Sequence, residues 1–166
     1  MNKHAEEVSK LYGNKLRPRV SGICIKDNKI LLVNHLGVNP ENEFWAPPGG
    51  GLEFGISAEE NLKREFLEET GYHINIEKFL CINEFIGIPL HTVELFFLVN
   101  IENGELIIGT EPEFKSGINI IQNVEFKDWK WIHKNKGNKL HNLLNITHSF
   151  EELITLQGYF LQKKNK

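Results

Sequence analysis

Sulfur is scarce in this sequence: two cysteines and one methionine among 166 residues. Cys24 and Cys81 both lie in apolar stretches that read as strands, so buried free thiols are expected rather than a bridge. Two are also too few for a cysteine-based metal knuckle. Long hydrophobic runs are missing as well. The longest, Val93 to Ile101, is interrupted by Glu94 and Asn100 and is far too short to span a bilayer, so no membrane partner is expected. Neither sign of charge dominates: 19 Lys and Arg stand against 22 Asp and Glu, a formal net charge of -3. That balance gives no overall field to gather nucleic acid, so no long nucleic-acid partner is expected. A small phosphorylated ligand held by local groups is compatible with it. The opening residues carry Lys3, Glu6, Glu7 and Lys10 with no apolar run behind them. No secretory signal is therefore expected, and a cytoplasmic location follows by default. Internal repeats, low-complexity tracts and linkers are absent. The length, 166 residues, suits one domain (1–166) around one sizeable core.

What is present is a succession of local signals. Ala5 to Tyr12 predicts a short helix stopped by Gly13-Asn14. Arg19 to Lys26 and Ile30 to His35 predict a hairpin around Asp27-Asn28-Lys29. Leu36 to Glu43 is a polar loop, and Phe44 to Gly51 (FWAPPGGG) is a compact segment that no helix or central strand would tolerate. Ser57 with Glu60 three residues on is a capping box, so a helix is expected from there to Thr70, with Gly71 as its stop. Tyr72 to Ile88 and His91 to Ile101 read as long strands, and Asn103-Gly104 as a hairpin turn into Glu105 to Ile108. Glu111 to Asn119 is a polar loop and Ile120 to Phe126 another strand. Trp129 and Trp131 alternate as a strand would. Lys139 to Asn145 and Phe150 to Thr155 read as short helices, with Ile154 to Leu161 equally a strand. Strands around one strong helix predict an α/β sandwich with a mixed sheet and helices outside.

Chemistry concentrates in Gly49 to Tyr72, GGGLEFGISAEENLKREFLEETGY. On a helix, Glu65, Glu68 and Glu69 stand at i, i+3 and i+4 and project as a cluster. Carboxylates that close repel one another, and something must offset the repulsion. Ala58, Leu62 and Phe66 form the core-facing stripe, and Glu69 falls between Ala58 and Leu62 on the wheel, on the buried side. A carboxylate there needs a cation or strong donors. Grouped hard oxygens suit Mg²⁺ or Mn²⁺, and the Gly-rich turn upstream offers backbone carbonyls to the same ion. Metal-assisted attack on a phosphate is the chemistry these residues suggest; a surface helix with solvated acids is the plainer alternative.

At these residues the sequence resembles the Nudix hydrolases (MutT-like, with ADP-ribose pyrophosphatase-like members). The pattern of that family is G-x(5)-E-x(7)-R-E-U-x-E-E-x-G-U, U being bulky and apolar. Gly50, Arg64, Glu65, Glu68, Glu69 and Gly71 fall in register, and Phe66 and Tyr72 fill U positions. The resemblance extends from about Arg17 to Trp131. It implies an α/β/α sandwich with a mixed central sheet and a catalytic loop-helix-loop, plus a short N-terminal helix and a C-terminal helical extension. It further implies Mg²⁺- or Mn²⁺-dependent hydrolysis of a nucleoside diphosphate linked to another moiety, with ADP-ribose and nucleotide sugars first and (d)NTPs next. In that reading Glu65 and Glu69 are the main metal ligands, Glu68 bridges or orients water, and Gly49 offers its carbonyl. Arg64 orients the carboxylates by pairing with Glu53. A further carboxylate from a later loop is expected from Glu111, Glu113 or Glu125, with Glu113 preferred. One position departs from the pattern: its first glutamate would stand at 56, where this chain has Ile56. A domain that binds without hydrolysing, or turns over slowly, is the corresponding alternative. The resemblance also leaves a homodimer open.

Several residues outside the motif are candidates for substrate contacts. Arg17 and Arg19 flank a strand, as phosphate grips or as solubilising charge. His35 ends the second strand beside Asn34, as a substrate contact or a structural histidine. Gly50 allows close backbone approach. Glu84 and Glu94 are odd within apolar strands, and Glu94 in HTVELFF is placed to receive a base or ribose unless it is an edge-strand charge. Phe44 and Trp45 read as core, or as stacking partners for a base.

Overall fold

The computed structural model describes residues 3–39, 41, 43–110 and 119–164. The described elements run α1 (Lys3–Tyr12), β1 (Lys15–Lys26), β2 (Lys29–His35), β3 (Phe44–Ala46), β4 (Gly49–Gly51) and α2 (Ala58–Thr70). Then come β5 (Tyr72–Gly87), β6 (Leu90–Gly104), β7 (Ile121–Asp128), α3 (Trp129–Lys134), α4 (Asn142–Ile146), α5 (Phe150–Leu153) and β8 (Gly158–Lys163). The β1–β2 hairpin closes where Asp27 and Asn28 take positive φ, 50° and 56°, the pair of left-handed residues that matches the twist of a tight hairpin. Helix α2 starts on the expected capping box. Ser57 accepts from the Glu60 N–H while Glu60 accepts from the Ser57 N–H, so two otherwise orphaned donors are satisfied. Gly71 ends it at φ 78°, a conformation costly for any residue with a Cβ.

The strands form a mixed sheet in the order β3-β2-β1-β6-β5-β8, with β4 on β1 and β7 on β2. β1 runs parallel to β6 and β5 parallel to β8, whereas the other pairs are antiparallel. Alternation along the strands divides the core between two faces. Val20, Cys24, Leu31, Val33, Phe97 and Val99 pack under Leu62 and Phe66 of α2. Ile23, Leu32, Phe96 and Leu98 pack on the other side against Ile132, Leu143, Leu144 and Leu153 of the short C-terminal helices. The expected α/β architecture, helices outside a mixed sheet, is what the molecule adopts. Both cysteines are buried and free.

Four local expectations change. Asn103-Gly104 makes no hairpin, because β6 is already paired with β5 as far as Gly104 against Tyr72. The chain beyond it lies instead along the end of α2. There the Ile107 N–H donates to the Thr70 carbonyl and the Gly109 N–H to the Glu69 carbonyl, both at 3.0 Å, and these satisfy carbonyls left open by the last helical turn. Trp129 and Trp131 stand on α3 rather than a strand, since Asp128 caps the helix by accepting from the Trp131 N–H. Phe44 to Gly51 holds two three-residue strands either side of Pro47-Pro48, on β2 and β1 respectively. The C-terminal extension is helical only in part, for β8 closes the sheet as an edge strand beside β5.

Candidate active site

Two of the three motif carboxylates are buried. Glu65 is 5% exposed and Glu69 only 1%. Glu69 faces the sheet as its place on the helical wheel requires. One of its oxygens accepts from the Gly49 N–H at 2.9 Å, and the other lies 3.6 Å from His35 Nε2. The Gly-rich turn is shaped around Glu65. A Cβ on Gly50 would stand 2.3 Å from the Glu65 carboxyl carbon, so the carboxylate occupies the space a side chain there would fill. Glu68, at the half-exposed edge, meets Arg64 Nη1 with both oxygens at 3.2 Å. Arg64 is the hub: its other terminal nitrogen reaches Glu53 at 2.9 Å and Glu65 at 3.0 Å. Partial burial works against that guanidinium's charge, but the Glu65 and Glu68 carboxylates outweigh it and hold the proton more tightly than usual. Asn61, fully buried, fixes loop to helix by accepting from the Glu53 N–H and donating to the Gly51 carbonyl.

The donor set suits a hard divalent cation: three carboxylates and a backbone carbonyl, with the glycine turn leaving room at Glu65. As they stand, Glu65 and Glu68 are turned to Arg64. Among the described residues no three His, Cys, Asp or Glu side chains are gathered at the spacing of a metal site. Glu65, Glu68, Glu69 and the Gly49 carbonyl are the groups that fit one chemically.

Beside this turn opens a cleft of about 650 Å³. Its floor is the sheet itself. One cross-strand row sets Arg19 of β1 beside Glu94 of β6 and Asn83 of β5, and the next sets Arg17 beside Thr92 and Phe85. Arg19 links the cleft to the motif, its Nη2 donating to the Gly49 carbonyl at 3.3 Å and its Nε reaching Glu94 at 3.4 Å. Glu94 is 6% exposed and sits on a central strand, so it is no edge charge. It accepts from Ser21 Oγ, Arg19 and, at 3.0 Å, His141 Nε2. Burial alone would raise its pKa. The hydrogen bond from His141, with the Arg19 charge and the Ser21 hydroxyl, overcomes that and holds the carboxyl well below the usual range. His141 Nδ1 accepts from the Leu143 N–H, which leaves Nε2 to carry the hydrogen toward Glu94.

The sequence-predicted residues therefore fall into three groups. Glu65, Glu68, Glu69, Arg64, Gly49 and Gly50 come together at one turn, with Glu53 paired to Arg64 as expected. Arg19, His35 and Glu94 adjoin it along the cleft, while Arg17 lines the cleft further out with its guanidinium 3.4 Å over the Tyr12 ring. Glu111 and Glu113 lie outside the described residues, and Glu125 is bound to Lys127 and Asn123 on β7. Ile56 is 41% exposed, in the loop before α2. Trp45 packs edge-on to Trp131 at 5.4 Å in the core, whereas Phe44 lines the cleft. Sequence reasoning missed Ser21, Asn61, Asn83 and His141. Asn83, a polar residue in an apolar strand, carried the same signal that drew notice to Glu94.

No helix among the described residues is long and apolar enough to cross a membrane. The chain is similar to an ADP-ribose pyrophosphatase of Methanocaldococcus jannaschii, 35% identical over 63% of this chain and 63% of that protein, so the match spans under two thirds of its length. Among solved structures it is similar in fold to a MutT NUDIX hydrolase from Burkholderia pseudomallei (TM-score 0.60, 21% identity, covering 86% of this chain and 99% of that one). A NUDIX hydrolase from Nitrosomonas europaea is a further likeness (TM-score 0.58, 17% identity, covering 90% and 79%). The family profile of the NUDIX domain matches residues 15–145, which take in the carboxylate turn and most of the cleft, and this chain belongs to that family.

Proposed function

We propose that this chain is a Mg²⁺- or Mn²⁺-dependent pyrophosphohydrolase that cuts a nucleoside diphosphate linked to another moiety, with ADP-ribose the first substrate to test. The observation that carries the reading is the seat of Glu65 and Glu69. Two buried carboxylates, one filling the space above Gly50 and one bonded to the Gly49 N–H, adjoin a cleft whose volume suits a nucleotide. The name of the methanogen relative favours ADP-ribose over (d)NTPs.

When bound, the metal would neutralise the diphosphate and lower the pKa of a coordinated water. The protein groups divide the remaining work. Glu65, Glu68 and Glu69 would hold the ion, and Arg64 keeps Glu65 and Glu68 oriented and limits their mutual repulsion. Arg19, between the Gly49 carbonyl and Glu94, is placed to meet phosphate oxygens entering the turn. His35, 3.6 Å from Glu69, stands where it can accept a proton from a water beside that carboxylate.

The decisive variant is Glu69→Gln, which keeps an oxygen to accept from Gly49 and removes the charge. Its kcat is expected to fall by at least the ~100-fold that loss of an outer-shell partner costs a metal site, with an unchanged melting temperature. Full Mg²⁺-dependent turnover of ADP-ribose in that variant would show the helix is not the metal site. Ile56 favours a second reading, a ligand-binding domain without turnover. Measurable hydrolysis by the wild-type chain excludes it, and a large gain in Ile56→Glu would show a weakened enzyme.

A further inference from the structure

Asn83 is 1% exposed, yet it lines the cleft. Its side-chain oxygen accepts from the Asn142 amide at 2.9 Å, but its amide nitrogen donates to no described residue. That amide opens onto the cleft, where it can donate to a ligand acceptor. Asn83 and Glu94 are directly opposed across the β5–β6 ladder, so both side chains leave the same face of the sheet as neighbours. Glu94 has spent Oε1 on Ser21 and Arg19, whereas Oε2 takes only His141 and keeps accepting capacity. One open donor thus stands beside one open acceptor.

Their distance from the motif is fixed by the sheet. β5 lies two inter-strand spacings from β1, which carries Arg19 and borders Gly49, about 10 Å at ~4.8 Å per strand. With the diphosphate at Gly49 and Arg19, a ribose spans that interval and brings the base over Asn83. Phe85, two residues along on the same face, supplies an apolar wall.

We propose that Asn83 and Glu94 read the hydrogen-bonding edge of the substrate's adenine, Asn83 donating to ring N1 and Glu94 accepting from the exocyclic amine. The choice of adenine rests on the ADP-ribose reading above; the side-by-side donor and acceptor do not. His141 and Ser21 are positioning residues in this arrangement, since they leave Glu94 one face to offer.

Calorimetric titration of the wild-type protein with AMP, 1-deaza-AMP and purine riboside 5′-monophosphate tests it. The first analogue lacks the ring acceptor and the second the amine. AMP should bind about ten- to a hundredfold more tightly than either, as expected when a polar site meets a ligand lacking its partner group. Asn83→Leu should bind AMP and 1-deaza-AMP equally while still discriminating against the riboside. Equal affinities of the wild type for all three ligands, no AMP binding at millimolar concentration, or a uniform loss in Asn83→Leu would each overturn the proposal. Should Asn83→Leu lose its melting transition, the wild-type series decides alone. Hydrolysis of ADP-ribose is assayed separately. Turnover that is present but indifferent to the base edge removes the adenine site and leaves the hydrolase, whereas absent turnover removes the hydrolase alone.

Discussion

At Gly50 a single added methyl group separates folding from function. The new Cβ would meet Glu65 at 2.3 to 2.6 Å, and those atoms are the far end of a flexible side chain rather than backbone. The fold can yield by swinging the carboxylate away; the proposed metal site cannot. Gly50→Ala should therefore keep its melting temperature within the ~2–4 °C that 1 kcal/mol is worth in a chain this long. Its kcat/KM should drop about a hundredfold, the scale of a 1 Å misplacement at a reacting centre. Thermal melts and turnover measured on the same preparation separate the two effects. Wild-type activity in that variant would mean the seat of Glu65 has no part in the reaction.

Helix α2 shows what local sequence can specify. Its start, its stop and its three carboxylates were legible because each depends on residues within four positions: Ser57 with Glu60, Gly71 after Thr70, and the spacing of Glu65, Glu68 and Glu69. The burial of Glu69 followed from the same wheel. Contacts made by register were not legible. His141 meets Glu94 across 47 positions, and Asn83 faces it only through the β5–β6 pairing. The Asn103-Gly104 signal misled for a related reason, since a turn forms a hairpin only where a partner strand is free. The ends of α2 can be tested directly. Ser57→Ala should cost about 1 kcal/mol as a lost cap. Gly71→Ala should cost at least about 1–2 kcal/mol, because φ 78° is left-handed there and the added Cβ would stand 2.3 Å from the Glu105 carbonyl oxygen. Urea unfolding should show lower midpoints with unchanged slopes. If Gly71→Ala left the midpoint unmoved, the left-handed cap would carry none of the helix's stability.

Across the whole molecule, a polar cluster on one face of the sheet joins the central strands to the C-terminal segment. Glu94 on β6 ties β1, through Arg19 and Ser21, to the C-terminal segment through His141. Its carboxyl is held below the ordinary value of 4.5 in the folded chain. The unfolded chain thus binds this proton more readily, and stability falls as pH is lowered. The contribution is complete above the unfolded value and is lost as pH drops from about 4.5 toward the folded one. Glu94→Gln should cost on the order of 2 kcal/mol near neutral pH, as expected for charge-assisted hydrogen bonds. The gap to the wild type should close progressively in acid, because protonation makes the natural side chain neutral as well. Urea midpoints for both proteins from pH 7 down to about 3 give that difference curve. A gap of constant size across the range would mean that the Glu94 charge does not hold the C-terminal segment to the sheet, and that packing of Leu143, Leu144 and Leu153 alone does so.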